Sequence, residues 1–541
     1  MKRFLQATKD TYVTNRLIRN SFRATDANVG HAGTLDLFKL AGESTITYVT
    51  ASVSGSTLLH GNGPFVSGTE EPIELSRVLI KFDLDPLRQL TGSILDLDAS
   101  SFKCTLRLFD VMGGQTLPSN FSLVLYPLSR SFDEGPGLDV ISFEDIGASN
   151  FITASDSGGL VVTWSQSTVE SDIAAGLGPT VFIGGASHLG YVGEPLVDAV
   201  TGSAGLGDVF VVQQFIEGDE DISMDVTTIV SATLVGLLPD HGFRISFSGT
   251  QETDDRTRFV KRFATRHSTN TRIRPKIEVG FDDSTKDNHK SFFFDCSGSL
   301  FLNSFRRGSP ADIVSGSGLT HITGVNCMLL TLVSGSGSTY FSTTVTASQH
   351  SVGNNFVTGV YSASFAISSF AAILRDEIVS AHSATFTELW GSLDGTVGYH
   401  TGTLVVRSLE RTSFSDSPGE LKLNITNMRN SYKSSERVRF RIFAQDDGFS
   451  FKASKLPIEA VSEMLDDMHH RMRDHGSNEL MYDFDTTNGS TRVSMDSDGM
   501  YFDAYMSDLD VGRVYTIELL VNERGVQRVF EHVGGSFRVD A

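Results

Sequence analysis

The sharpest metal candidate in this 541-residue chain is "MLDDMHHRMRDHG", Met464 to Gly476. Here His469, His470, Asp474 and His475 follow Asp466 and Asp467. On a helix, His470 and Asp474 would stand one turn apart on one face, as two zinc ligands should. The same polar residues also fill the side opposite an apolar stripe of Ile458, Val461, Leu465, Met468 and Met472, which is the pattern of any solvated helix face. Spacing alone assigns no metal, so no metal ligand is expected there.

Two oxygen-rich stretches, "EGDEDISMD" (Glu217 to Asp225) and "DSDG" (Asp496 to Gly499), offer the hard ligands that Ca²⁺ takes. Neither fits the twelve-residue EF-hand loop, and turn and capping roles account for them more simply. No cofactor is expected, and a structural Ca²⁺ is the one ion left open. For catalysis, the nucleophile elbow, the Walker loop, the zincin helix and the dinucleotide fingerprint are all missing. In "GGASHLG" Ser187 adjoins His188, but neighbours on a strand point to opposite faces and form no relay. The chain therefore reads as a non-enzyme with no catalytic residue.

Charge is the other chemical feature. The formal net charge is −21, yet "RFVKRFATRHSTNTRIRPK" carries seven Lys or Arg in the nineteen positions from Arg258 to Lys276. From Ser131 to Phe243 there is no Lys or Arg at all. A polyanion would be repelled by most of such a surface, so no nucleic-acid partner is expected. Arg258, Lys261, Arg262, Arg266, Arg272 and Arg274 are instead the candidate interface, because arginine pairs carboxylates in planar, bidentate fashion. They would either dock on a carboxylate-rich neighbour or bridge to carboxylates of their own module.

The elements that would position these groups are mostly strands. Gly at 51 residues and Pro at only 13 suggest many turns. Period-2 alternation marks "SRVLIKFDLD" and "FKCTLRLFDV", and "SLVLYPL" and "HGFRISFSG" are further half-buried strands. Later strands are "MLLTLVS", "NFVTGVYSASFAIS", "GTLVVRSL", "LKLNITN", "RVRFRIFAQ", "GMYFDAYM", "VYTIELLV" and "SFRVD". Short helices are expected at "DPLRQLTG" and "MDVTTIVSATLVG", and a longer one near residues 457–475, opened by Pro457. Trp164 and Trp390, the two tryptophans, read as core residues. Cys104, Cys296 and Cys327 have no framework spacing and read as buried free thiols, and no stretch suits a signal peptide or a membrane span.

Three stretches carry a resemblance. "KDTYVTNRLIR" (Lys9 to Arg19), "VLIKFDLDPL" (Val78 to Leu87) and "FVKRFATRHSTNTRIRPKIEV" (Phe259 to Val279), closing on Arg274, Pro275, Ile277 and Val279, resemble the DNRLRE-type β-sandwich. That module is common in surface and bacteriophage structural proteins. "RATDANVGHAGTLDLFKL" and "RVRFRIFAQDDGF" extend the likeness to large tailed-phage virion proteins.

The fold expected is all-β and multidomain: a jelly-roll-like N-terminal β-sandwich over 1–284, a β-sandwich over 285–411, and an Ig-like β-sandwich over 412–541 that includes the helix. The resemblance implies a structural subunit of the tail, neck or baseplate, made in the host bacterial cytoplasm and carried in the virion. Its partners would be other virion proteins and copies of itself, with no membrane involved. The alternative is an adhesion module whose partner is a surface glycan.

Overall fold

The computed structural model describes residues 1–18, 22–41, 46–53, 57–58, 65–70, 73–91, 94–111, 120–141, 147–157, 160–164, 180–182, 199–203, 207–248, 250–253, 257–315, 320–335, 340–353, 355–408, 421–446, 462–523 and 525–541. The protein is all-β, and its strands belong to two compact units. One comprises Phe4–Arg88 with Lys103–Val279; the other comprises Met1–Arg3, Gln89–Phe102 and Gly280–Ala541.

In the first unit a ten-stranded sheet is built from β1 (Lys2–Thr14), β2 (Thr34–Ala41), β3 (Ile73–Phe82), β4 (Lys103–Leu108), β5 (Phe121–Pro127), β6 (Val211–Phe215), β7 (Ile222–Asp225), β8 (Phe243–Phe247), β9 (Arg258–Ala264) and β10 (Lys276–Gly280). The order is β6-β5-β8-β3-β1-β10-β4-β7, with β2 joined to both β3 and β9. Strand β4 shows why alternation produces this: Cys104, Leu106 and Leu108 are fully buried while Lys103, Thr105 and Arg107 are not. Each such leucine contributes about 1.5–3 kcal/mol by leaving water. In β3 alternation understates burial, because Val78, Leu79 and Ile80 are all inaccessible. That strand is therefore covered on both faces. Helix α1 (Thr227–Leu234) follows Asp225, whose carboxylate accepts from the Thr227 amide at 3.0 Å. Trp164 packs with Val13, Leu79, Leu128, Phe132 and Ala154.

In the second unit, the strands β11 (Phe292–Phe293), β12 (Ser297–Asn303), β13 (Met328–Ser334), β14 (Phe341–Val352), β15 (Asn355–Ala366), β16 (Ser383–Gly391) and β17 (Gly398–Arg407) form a seven-stranded sheet in the order β11-β17-β16-β13-β14-β15-β12. Trp390 sits in its core. Helix α2 (Arg375–Ala381) lies between β15 and β16.

The C-terminal strands β18 (Leu421–Ile425), β19 (Ser431–Lys433), β20 (Arg437–Asp446), β21 (Met468–Asp474), β22 (Leu480–Tyr482), β23 (Ser494–Asp496), β24 (Gly499–Tyr505), β25 (Val514–Glu523), β26 (Val526–Phe530) and β27 (Ser536–Asp540) form two further sheets. Their orders are β18-β20-β24-β23 and β19-β27-β25-β21-β22, with β26 on β25. Their apolar side chains gather in a second cluster, separate from that around Trp390.

Two expectations are corrected. The helix placed near 457–475 is not formed where the chain is described, because Met468–Asp474 is strand β21, paired along its length with β25. Met468 and Met472 suit a four-residue helical repeat, but they suit a two-residue repeat equally well, and the buried His470 between them supports the second. Residues 457–461 lie outside the described residues. Among the cysteines, Cys104 is buried as expected, whereas Cys296 is exposed and Cys327 partly so.

Candidate functional site

The basic stretch turns inward as much as outward. Lys261 on β9 has no exposure: its ammonium pairs with Asp110 at 2.5 Å, donates to the Gly218 carbonyl at 2.8 Å and lies over the Phe215 and Phe263 rings. Arg272 is also buried, so neither residue can belong to the docking surface expected of them. Arg262 reaches Asp36 across the β9–β2 pair at 3.3 Å, and Arg274 donates to the Ser268 carbonyl at 2.9 Å. Arg258 is half-buried at the start of β9. Arg266 forms a bidentate pair with Glu134, a residue of the stretch that lacks Lys and Arg. The charges segregated along the sequence thus meet inside one unit.

Around that last pair several titratable side chains gather. Two loops meet there, each tied down by Asn28: its amide donates to the carbonyls of Glu134 and Ser149, both at 2.7 Å, and its Oδ1 accepts from Gly137 at 2.8 Å. The loops approach so closely that a Cβ on Gly30 would fall 2.0 Å from the Glu134 carbonyl, and one on Gly137 would fall 1.8 Å from that of Asn28. Glycine is required at both positions. The Glu134 carboxylate accepts the Asp10 amide at 2.9 Å, and the Asp10 carboxylate accepts the Arg266 amide at 2.5 Å.

Asp10 is fully buried. Burial, together with the Glu134 charge and partly offset by Arg266, pushes its carboxyl up to about 7. Glu134 goes the other way: desolvation would raise it, but Arg266 and the Asp10 amide hold it below the usual carboxylate range. His31 and His267 complete the group, their ring centroids 4.4 Å apart, with His267 Nε2 3.5 Å from Glu134 Oε1. Desolvation and Arg266 lower the His267 imidazole. His31, Glu134 and His267 can bring three ligand atoms within 4.8 Å of one another.

The residues singled out in the sequence for metal chemistry have other occupations. His470 is buried on β21, stacked on Phe502 at 4.0 Å between ring centroids, with its Nδ1 3.0 Å from the Tyr482 hydroxyl. His469 points to the opposite face, toward Thr491 and Asp467. Asp474 accepts the amides of Gly476 and Ser477 and closes a turn. His470→Ala should consequently cost about 2–3 kcal/mol, as loss of a buried ring does. A urea-unfolding midpoint unchanged by the substitution would contradict that packing.

The oxygen-rich loops are likewise engaged. Desolvation would raise Glu220, but the amides of Glu217, Ile216 and Gly218 bring it down to about 2. Asp221 accepts the Asp110 amide, and Asp496 accepts the amides of Asp498 and Gly499 while pairing with Arg441. "GGASHLG" lies outside the described residues.

In the second unit two surface features stand out. A cavity of about 800 Å³ is lined by Arg437, Arg439, Arg441, Asp496, Tyr501 and Asn303, among others. Three exposed apolar side chains lie on or just before α2, none of whose residues is buried: Phe370 is 89% exposed, Val379 69% and Ile373 47%. The segment is nonetheless anchored, by buried Leu374 and by Asp295, which accepts the Ser369 amide at 3.0 Å.

No family model matches the chain, and no curated protein matches it. Among solved structures it is similar to the N-terminal Ig1-2 module of the Drosophila receptor protein tyrosine phosphatase DLAR, at 7% identity over 48% of this chain and 95% of that one, with a TM-score of 0.14. A structure of tandem Ig repeats of Dlar matches at 9% identity over 46% and 91%, TM-score 0.12. Trypsin-activated alpha-2-macroglobulin from Escherichia coli matches at 9% over 87% of this chain but 26% of its own length, TM-score 0.15. Superpositions this loose carry no argument about site or function.

Proposed function

We propose that the protein is a non-enzymatic structural subunit of a tailed-phage particle, in tail, neck or baseplate, that presents rigid β surfaces to other virion proteins and to copies of itself. The three-part division of the chain near residues 284 and 412 belongs to the same reading. The observation that supports it best is the α2 patch: Phe370, Ile373 and Val379 stand in water on a segment whose position is fixed by Leu374 and Asp295. Exposed apolar groups held in place, with little internal packing to explain them, are what an association surface requires. The virion setting rests on the resemblance of the N-terminal stretches to the DNRLRE-type module.

The reading is tested by Phe370→Asp combined with Val379→Asp. Stability should move by no more than about 0.5 kcal/mol, as for other surface substitutions. Incorporation into particles should be lost, because a few central apolar anchors dominate such contacts. Normal incorporation of the double variant would remove the patch from the account.

The alternative, a glycan-binding adhesion module, has the cavity in its favour. Its Arg, Asp, Asn and Tyr lining is the mixture that holds sugar hydroxyls, and its volume suits a ligand. Yet Asp503 and Asp496 already engage the three arginines, Arg439 in bidentate fashion. Glycan binding lost on Asn303→Ala would favour adhesion over the structural role.

A further inference from the structure

We propose that His31, Glu134 and His267 form a binding site for a divalent transition-metal ion, of which Zn²⁺ fits the donors best. The proposal is independent of the virion reading. Two imidazoles and one carboxylate are the donor set of three-ligand zinc sites, in which a fourth position is left to water or a partner. Ca²⁺ and Mg²⁺ would take oxygen ligands instead.

The geometry is close to assembled. Bonds of about 2.0–2.1 Å in a tetrahedron put neighbouring donor atoms about 3.3–3.5 Å apart. His267 Nε2 already lies 3.5 Å from the Glu134 carboxylate, and one ligand atom from each of the three residues can lie within 4.8 Å of the others. His31 is exposed, so a rotation of its side chain meets little resistance. Glu134 sits on a frame that holds it. Arg266 and the Asp10 amide orient Glu134, as partners behind a ligating carboxylate commonly do. Oε1 accepts both the Asp10 amide and Arg266 Nε, and Oε2 accepts Arg266 Nη2, so the lone-pair site left for a metal is on Oε2.

Two buried polar atoms beside the group favour a cation there. His267 Nε2 and Asp10 Oδ1 are buried polar atoms with no hydrogen-bond partner among the described residues. Such atoms are costly to leave unsatisfied, and a metal would satisfy the first directly. No ligand spacing in the sequence signals the site, since its donors come from three distant loops.

Full-length protein stripped of metal with a chelator should be titrated with Zn²⁺ by calorimetry, and with Co²⁺ followed by visible absorption. One saturable site per chain is expected, with the Co²⁺ bands of nitrogen and oxygen ligation at low coordination number. His31→Ala and His267→Gln should each weaken binding by more than about 100-fold, beyond the effect of losing an outer partner alone. His321→Ala, at an exposed position elsewhere, should change nothing. His31→Ala leaves the buried frame intact, so its result is readable even if the His267 variant folds poorly. Absence of saturable binding, or binding that survives His31→Ala, would overturn the proposal.

Discussion

Replacing Glu252 with Ala should remove about 3–5 kcal/mol from the stability of the unit that contains it, the usual cost of deleting one member of a buried charge group. The Arg77 and Arg244 side chains are completely inaccessible, and both bond to this carboxylate. Arg77 Nε donates to it at 2.7 Å, and Arg244 Nη2 to its two oxygens at 3.2 and 3.1 Å. Desolvation lowers the Arg244 guanidinium to about 10, and the Arg77 charge adds to that lowering. Without Glu252 two like charges would be buried side by side. Glu252 itself is held below the ordinary carboxylate range by the guanidiniums, against desolvation. A depressed carboxyl contributes stability above its unfolded pKa, and that contribution is lost as pH falls through the folded value. Urea unfolding followed by Trp164 fluorescence, at neutral pH and again in acid, should show the variant's deficit shrinking in acid. A deficit under about 1 kcal/mol at neutral pH would mean the group contributes no more than a surface pair does.

The second large effect is expected at His289, which lies between two buried carboxylates. Its Nδ1 meets Asp287, and its Nε2 meets Glu388 at 2.9 Å. Burial alone would lower the imidazole, but the hydrogen bonds and charges of Asp287 and Glu388 push it up to about 10. His289→Ala should therefore cost about 3–5 kcal/mol, because it buries two carboxylates without their cation. The pH dependence has the opposite sign to that of Glu252. A raised histidine contributes fully below its unfolded pKa of about 6.5, and the contribution disappears as pH rises toward 10. Unfolding midpoints followed by Trp390 should fall from pH 6 to pH 10 in the wild type and much less in the variant. A flat wild-type profile would show that the histidine is neutral.

How much of this was readable beforehand depended on range. The strand "RVRFRIFAQ" was legible because Val438, Phe440 and Ile442 alternate with Arg439 and Arg441, and burial follows that alternation. "MHHRMRD" was misread because two methionines four apart satisfy both periods, and the pairing with β25 that decides between them lies more than forty residues away. The basic stretch was visible as charge, but its partners Asp36, Asp110 and Glu134 arrive from other strands and loops. The His31–Glu134–His267 group was illegible for the same reason. Its only local traces are "NVGHAG" and "DEGPG", whose glycines let the two loops touch.

The central claim is that the chain is a structural part of a tailed-phage particle that docks through the α2 patch. Quantitative mass spectrometry of purified particles whose genome encodes it tests this most directly, with wild type and the Phe370→Asp, Val379→Asp variant side by side. The account predicts a fixed number of wild-type copies per particle, and a variant that is soluble, folded and missing from the particles. Wild-type protein found only in the soluble fraction, with purified particles complete without it, would contradict the account.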